Sequence, residues 1–175
     1  ITTLSLLSFY EPIRQAIPPF QLMFEGFDRP EDRPHTLSWL WTQFAAGFAV
    51  MLPMIWLFGQ WGLESLVVIP ILINVIGDGL AEPVGVRFGK YRYKTKALFT
   101  NKEYFRTFEG SACVLITGFI VIAMHADYFT TTQYALAMLS VPIIMTLTEA
   151  YSPHTWDTPF LMFTGYASLI LIMQF

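Results

Sequence analysis

The stretch Thr36–Leu63, TLSWLWTQFAAGFAVMLPMIWLFGQWGL, carries no charged side chain over its whole length. A helix needs about 20 apolar residues to cross the hydrocarbon core of a bilayer, so Leu37–Gly59 alone is long enough for one crossing. The rest of the chain has the same character, because 54% of its 175 residues are hydrophobic and only 13% are charged. Soluble domains carry about a quarter charged residues. The sequence therefore predicts an integral membrane protein.

Four further apolar windows follow, at 65–77, 110–126, 128–148 and 158–175. The first is shorter than a membrane-spanning helix requires, so we expect it to end near or inside the bilayer. Together with Thr36–Leu63, these windows predict an all-α fold, a polytopic transmembrane helix bundle with about five helices in this chain.

The N-terminal residues differ in composition from the rest. Ile1–Phe9 has the character of the end of another apolar segment, and no basic stretch or cleavage site of a signal peptide precedes it. We therefore expect an N-terminal part of the natural protein to be missing. Residues 10–35 contain five acids and five prolines, which is typical of an interfacial segment. The predicted division is a helix tail with this interfacial segment at 1–35 and a transmembrane domain at 36–175.

Composition and motifs exclude several classes of protein. The lone Cys113 excludes a scaffold built on disulfides, and the high apolar content excludes a disordered chain. The sequence contains no Walker A motif, no dinucleotide-binding fingerprint and neither of the G-x-S-x-G and H-E-x-x-H motifs. We expect neither a soluble enzyme of those classes nor a nucleic-acid partner.

Positive charge is concentrated in one stretch. Seven of the ten basic residues lie within 87–106, where Glu103 is the only acid. They are Arg87, Lys90, Arg92, Lys94, Lys96, Lys102 and Arg106. Such a block marks a cytoplasmic loop, here 86–108. The windows 110–126 and 128–148 would then cross outward and back, which places 149–158 on the same cytoplasmic face, in a bacterial inner membrane.

Ionisable residues at membrane depth usually mark a functional site. In the segment GDGLAEPVGVRFGK at 77–90, Asp78 and Glu82 are four residues apart and would share one face of a continuing helix. Two such carboxylates could hold Mg²⁺, which prefers oxygen ligands. The glycines of this segment would let backbone or ligand approach closely. The alternative is an ordinary helix end with Asp78 as its cap.

Two further segments have a structural and a functional interpretation. The basic loop could surround a triphosphate, with arginine as a bidentate fork and lysine as a point charge, or could be a solvated loop that touches anionic lipid headgroups. In TEAYSPHTWDTP at 148–159, a membrane helix breaks at Ser152-Pro153. Irregular backbone at that depth is tolerated where it lines a cavity, although an ordinary turn between helices has the same pattern.

These motifs together resemble those of the CTP-dependent polyprenol kinases, which include phytol kinase and dolichol kinase, in the wider phosphatidate cytidylyltransferase-like superfamily. In that pattern Gly-Asp and a small residue lead to Gly-x-Arg-Phe-Gly, as in 77–89, and Glu-Gly-Ser opens the next helix, as in 109–111. A later Glu-x-x-Ser-Pro…Asp-Asn-x-x-Pro element is matched by Glu149, Ser152, Pro153 and Asp157. The resemblance covers residues 65–175. This sequence departs from the pattern in three places. Thr158 stands where the pattern has asparagine, Pro159 follows it without the two intervening residues, and the loop 94–106 is longer than the usual link before Glu-Gly-Ser.

The resemblance implies a phosphotransferase that moves the terminal phosphate of CTP to a polyprenol- or phytol-type alcohol with the help of Mg²⁺. Its catalytic residues would be Asp78 and Asp157, and its metal ligands would come from Asp78, Glu82, Glu149 and Asp157. Nucleotide and phosphate binding would fall to Gly77, Gly79, Arg87, Gly89, Lys90, Arg92, Lys94, Lys96, Glu109 and Ser111. The implied partners are CTP, the lipid alcohol and membrane lipids.

Two alternatives remain open from the sequence. A phosphatidate cytidylyltransferase shares an acid-rich run before Gly-Arg-Phe-Gly-Lys, but the Lys-Asp element that ends that family's signature is missing here. A non-catalytic membrane subunit could use the same fold to pack beside a partner complex. Against it stand the carboxylates at membrane depth, which a purely structural subunit has little reason to keep.

Overall fold

The computed structural model describes residue 7 and the ranges 9–28, 33–96, 103–154 and 156–175, with only the backbone at 23, 26 and 27. Most of the expected apolar segment 1–9 lies outside these residues, as do Arg29, Lys102 and Thr155. The described residues form seven helices and one hairpin: α1 (Glu11–Ala16), α2 (Pro18–Phe27), α3 (Thr36–Gln60), α4 (Glu64–Phe88), β1 (Arg92–Lys96), β2 (Glu103–Thr107), α5 (Phe108–Met124), α6 (Thr131–Tyr151) and α7 (Asp157–Ile172). The predicted helical fold is confirmed, with a small sheet added.

Two compact units divide the chain, Ile1–Thr42 and Gln43–Phe175. In the first, the Asp28 carboxylate accepts hydrogen bonds from Arg33 Nε at 3.0 Å and from the Thr36 hydroxyl at 2.8 Å. These bonds lower the pKa of Asp28 below its ordinary value. They connect the end of α2 to the first residue of α3.

Three helices within the described ranges, α3, α4 and α6, are long and apolar enough to cross a membrane, and α5 and α7 are shorter apolar helices. The prediction of a short segment at 65–77 was wrong, because α4 continues through Asp78 to Phe88. A π-helical turn at Ile73–Asp78 joins its two α-helical parts. The charged Asp78 ends the apolar window of the sequence. The helix itself continues, because packing against neighbouring helices stabilises it beyond that point.

The second unit is built on close helix contacts. Helix α5 packs against α4 and α6, and α7 packs against α6. At Gly77 on α4, an added Cβ would lie 2.9 Å from the Val114 Cα of α5, and at Gly118 on α5 it would lie 2.9 Å from the Pro142 Cα of α6. Small residues at such positions let helix backbones approach each other and maximise dispersion contacts in a bilayer.

The basic stretch, expected to be a loop, contains an antiparallel hairpin in which Tyr93 pairs with Arg106 and Thr95 with Tyr104. Side chains alternate between the two faces of a strand. On β1, Thr95 is buried and Tyr93 half-buried, whereas the basic side chains at 92, 94 and 96 are exposed. On β2, Tyr104 and Arg106 face the same side as Tyr93 and Thr95. One face of the hairpin is therefore basic and exposed, and the other packs inward.

The contact between α4 and α5 can be tested at two nearby glycines. We expect Gly77→Ala to lower the free energy of unfolding by about 1–3 kcal/mol, because the new methyl group meets backbone. Gly79→Ala is the matched control, since an added Cβ there meets nothing within 4 Å. It should be neutral or stabilising by up to about 1 kcal/mol. Thermal unfolding in detergent measures both, and equal midpoints for the two variants would contradict this packing.

Candidate functional site

A buried arginine joins three parts of the chain. The Arg106 side chain, 11% exposed, places Nη1 2.6 Å from Glu149 Oε1 and Nη2 3.2 Å from Asp157 Oδ2. Nη1 also donates to the Glu149 backbone carbonyl. Arg106 lies at the end of β2, Glu149 in the last turn of α6 and Asp157 at the start of α7. One guanidinium fork thus connects the hairpin to both helices.

The second carboxylate oxygen of Glu149 has its own donor. The Ser111 hydroxyl donates to Glu149 Oε2 at 2.7 Å, and the Tyr93 hydroxyl lies 2.6 Å from Ser111 Oγ. Because Ser111 has a single proton and gives it to Glu149, Tyr93 must be the donor to Ser111. Burial raises the pKa of Tyr93 above its ordinary value, which keeps this donor protonated. Glu149 is therefore fixed from both sides.

Asp157 is held in the same way. Its Oδ1 accepts from Gln43 Nε2 at 3.3 Å and from the Thr158 backbone N–H at 3.1 Å, while Oδ2 faces Arg106. Gln43 also donates to the Thr158 hydroxyl at 3.1 Å. Thr158, which departs from the family pattern, thus takes part in positioning Asp157.

The inward face of the hairpin packs on the segment between α6 and α7. The Tyr104 and His154 rings stack with centroids 3.8 Å apart. The His154 backbone N–H donates to the Lys96 backbone carbonyl at 2.9 Å. The Thr95 hydroxyl donates to the Ser152 carbonyl at 3.2 Å. Next to Arg106, Thr107 caps α5 by accepting from the Gly110 N–H at 3.1 Å. These contacts hold the backbone on either side of Arg106 in place.

The electrostatics of the cluster depend on its carboxylates. Burial by itself lowers the pKa of Arg106, but neighbouring negative charges raise it by more, so that the pKa lies above its ordinary value. Those charges belong to Asp157, Glu149 and Asp78. Asp78, half-buried on α4, is therefore close enough to interact with the guanidinium. Three acids and one arginine therefore share this region.

The predicted metal ligands are only partly brought together. Glu149 and Asp157 converge on Arg106, Asp78 lies near it, and Glu82 is exposed one helical turn further along α4. Within the described ranges, no three side chains of His, Cys, Asp or Glu are arranged to hold a metal ion. Glu149 and Asp157 face the guanidinium in this structure.

The predicted phosphate-binding residues lie mostly outside the cluster. Arg87 and Lys90 are exposed at the end of α4, and Lys94 pairs with Glu103 at 2.7 Å on the outer face of the hairpin, which Arg92 and Lys96 share. Gly77 packs against α5, whereas Gly79 is open, and Gly89 packs against Thr107. Glu109 accepts the Lys90 N–H at 3.0 Å and so anchors the turn after α4. Of this predicted set, Ser111 alone has a described bond to the cluster acids.

Three residues of the cluster were missed from the sequence. Arg106 was one of seven basic residues in a stretch interpreted as a loop, Tyr93 was assigned no role, and Gln43 lies inside an apolar helix. The alternation of charged and uncharged residues in RYKTK at 92–96 was the available signal, since it has the period of a strand. No feature of the sequence distinguishes Gln43 as a residue of the cluster.

Comparison with known proteins adds no relative: no family model matches the chain, and neither a curated protein nor a solved structure does. The functional argument therefore depends on the residues themselves.

Removal of the arginine should be far more costly than removal of an exposed base. We expect Arg106→Gln to lower the free energy of unfolding by about 3–5 kcal/mol, because it leaves the buried Glu149 and the half-buried Asp157 carboxylates without this counter-charge. Lys94→Gln, which breaks the exposed pair with Glu103, should cost at most about 1 kcal/mol. Thermal unfolding in detergent compares the two variants. Equal losses would mean that the Arg106 cluster does not stabilise the fold.

Proposed function

We propose that this chain is a polytopic membrane protein that transfers the terminal phosphate of CTP to a lipid alcohol. The observation that supports this function best is the cluster around Arg106. It gathers residues from three separate segments, represented by Asp78, Ser111 and Asp157, and each segment carries one of the motifs that resemble the polyprenol kinases.

The chemistry of phosphoryl transfer suits such a cluster. The reaction requires positioned reactants and stabilisation of charge on the phosphate oxygens, and little covalent chemistry from the protein. Arg106 fixes the orientation of the Asp157 carboxylate through Nη2. Asp78, on a different helix, is the carboxylate we assign to accept the proton of the alcohol. The exposed Arg87 and Lys90, at the end of α4 and in the turn after it, would pair with phosphate oxygens.

The carboxylates also fit the ion that such a reaction uses. Mg²⁺ is usually bound through one or two carboxylates together with substrate phosphates, rather than by a complete protein cage. Asp78 and Asp157 would hold it, with Glu82 and Glu149 as further oxygen donors nearby. When bound, the ion would neutralise charge on the triphosphate.

The hairpin indicates which side of the membrane the proposed site would face. Its outer face is basic, and basic segments next to membrane helices remain on the cytoplasmic side. There CTP would reach the cluster from water and the alcohol from the bilayer. A bacterial inner membrane is the location we propose.

One observation favours a second candidate, a non-catalytic membrane subunit. Glu149 and Asp157 are already bonded to Arg106, Ser111 and Gln43, so the network satisfies its own charges. A protein that uses the fold only for packing beside a membrane partner could keep such a network for stability.

The direct test uses CTP labelled at either the γ or the α phosphate, with the chain in detergent micelles, Mg²⁺ and a panel of lipid alcohols and phosphatidate. We expect γ label, and no α label, to enter an alcohol. Transfer of the α label to phosphatidate would identify a cytidylyltransferase instead. Absence of both, in protein shown to be folded, would favour the structural subunit.

The role of Asp78 gives a sharper prediction. Asp78→Asn should lower turnover about 100-fold or more, because the variant loses the acceptor for the proton of the alcohol. Asp127→Asn is the matched control, since Asp127 is exposed in the turn between α5 and α6, at the opposite end of α5 from Ser111. The measurement is the rate of γ-phosphate transfer at equal amounts of folded protein. Near-normal turnover by Asp78→Asn would refute the assignment.

A further inference from the structure

An apolar groove lies between α3 and α7. Its volume is about 230 Å³, and it is lined by Ala46, Val50, Trp156, Pro159, Phe160 and Phe163. All six lining side chains are hydrocarbon or aromatic, so the groove suits an alkyl or isoprenoid chain. Its aromatic walls provide broad surfaces for dispersion contacts.

One end of the groove adjoins the polar cluster. On α3, Gln43 precedes Ala46 by three residues and Val50 by seven, so all three share one face of the helix. The Gln43 amide is hydrogen-bonded to Asp157. On the other wall, Trp156 and Pro159 flank Asp157 in sequence. The groove therefore runs along both helices away from the carboxylate that Arg106 holds.

Hydrogen bonding decides which amphiphile fits this arrangement. At the polar end, the Asp157 carboxylate accepts hydrogen bonds from Gln43 and Arg106. A hydroxyl headgroup can donate a further hydrogen bond to a carboxylate oxygen, whereas an ionised phosphate headgroup has no proton to donate. A long-chain alcohol satisfies both ends, with its hydroxyl at Asp157 and its chain in the groove.

We propose that this groove binds the hydrocarbon tail of a lipid alcohol and directs its hydroxyl to the Asp157 end of the cluster. The inference rests on the proposed function for its biological meaning, but it makes a claim about binding that can be tested without turnover. It also assigns Gln43 as a positioning residue between the tail site and Asp157.

The binding test uses a 20-carbon prenyl alcohol that carries a diazirine on its chain, added to the folded chain in detergent micelles. We expect cross-links at 46–50 and 160–163, mapped by mass spectrometry of the digested protein. Unlabelled prenyl alcohol should displace the probe, and phosphatidylcholine at the same concentration should not. Cross-links elsewhere, or equal displacement by the phospholipid, would overturn the proposal and indicate an ordinary bilayer-facing groove.

A pair of substitutions separates the groove from the surrounding bilayer. Ala46→Trp fills the groove and should abolish these cross-links, while Ala45→Trp, on an exposed position of the same helix, should retain them. In the γ-phosphate transfer assay, Ala46→Trp should raise KM for the 20-carbon alcohol about tenfold, the effect of losing the burial of about two methylene groups. A five-carbon alcohol should show little change.

The outcomes distinguish the two proposals. Cross-links in the groove without any phosphate transfer would support the tail site and contradict the kinase. Phosphate transfer with cross-links elsewhere, and an unchanged KM in Ala46→Trp, would support the kinase and contradict the tail site. If Ala46→Trp fails to fold, the cross-link map of the unsubstituted chain still decides whether the alcohol occupies the groove.

Discussion

The guanidinium of Arg106, buried between Glu149 and Asp157, is the interaction on which the second unit depends. Carboxylates withdrawn from water require a counter-charge, and an arginine fork meets two of them through separate nitrogens in a fixed geometry, whereas a lysine offers a single nitrogen. Because its partners lie at the end of α6 and the start of α7, the fork fixes the distance between two helices and the hairpin. Ser111 and Gln43 donate to the other oxygens of the two carboxylates, and Tyr93 donates to Ser111, so the protein itself orients both carboxylates.

This network has a consequence for the proposed function. Its side chains are held in place before any ligand arrives, and preorganised polar groups are what the proposed phosphoryl-transfer site requires. Water-exposed bases lie on the outer face of the hairpin, and Trp156 and Pro159, which line the apolar groove, flank Asp157 in sequence. A surface suited to a polyanion and a groove suited to a hydrocarbon chain therefore both involve elements of the cluster. This arrangement supports the proposed reaction between a nucleotide and a lipid.

The sequence predicted the helices better than it predicted the site. Charge-free windows marked α3 and α6 because apolar length is itself the signal, whereas the continuation of α4 through Asp78 and Glu82 was only one of two alternatives that the sequence left open. The hairpin was missed because its charged residues suggested a loop. Arg106 could not be selected among its basic neighbours, since its partners lie more than forty residues away and only the folded chain brings them together.

A double-mutant cycle on Arg106 and Glu149 tests the central interaction most directly. The free energies of unfolding of Arg106→Gln, Glu149→Gln and the double variant would be compared with that of the unsubstituted chain in the same detergent. We predict a coupling energy of about 1.5 kcal/mol or more, as expected for a close buried charge pair. Effects that simply add, within about 0.5 kcal/mol, would show that the two side chains do not interact and would contradict the account.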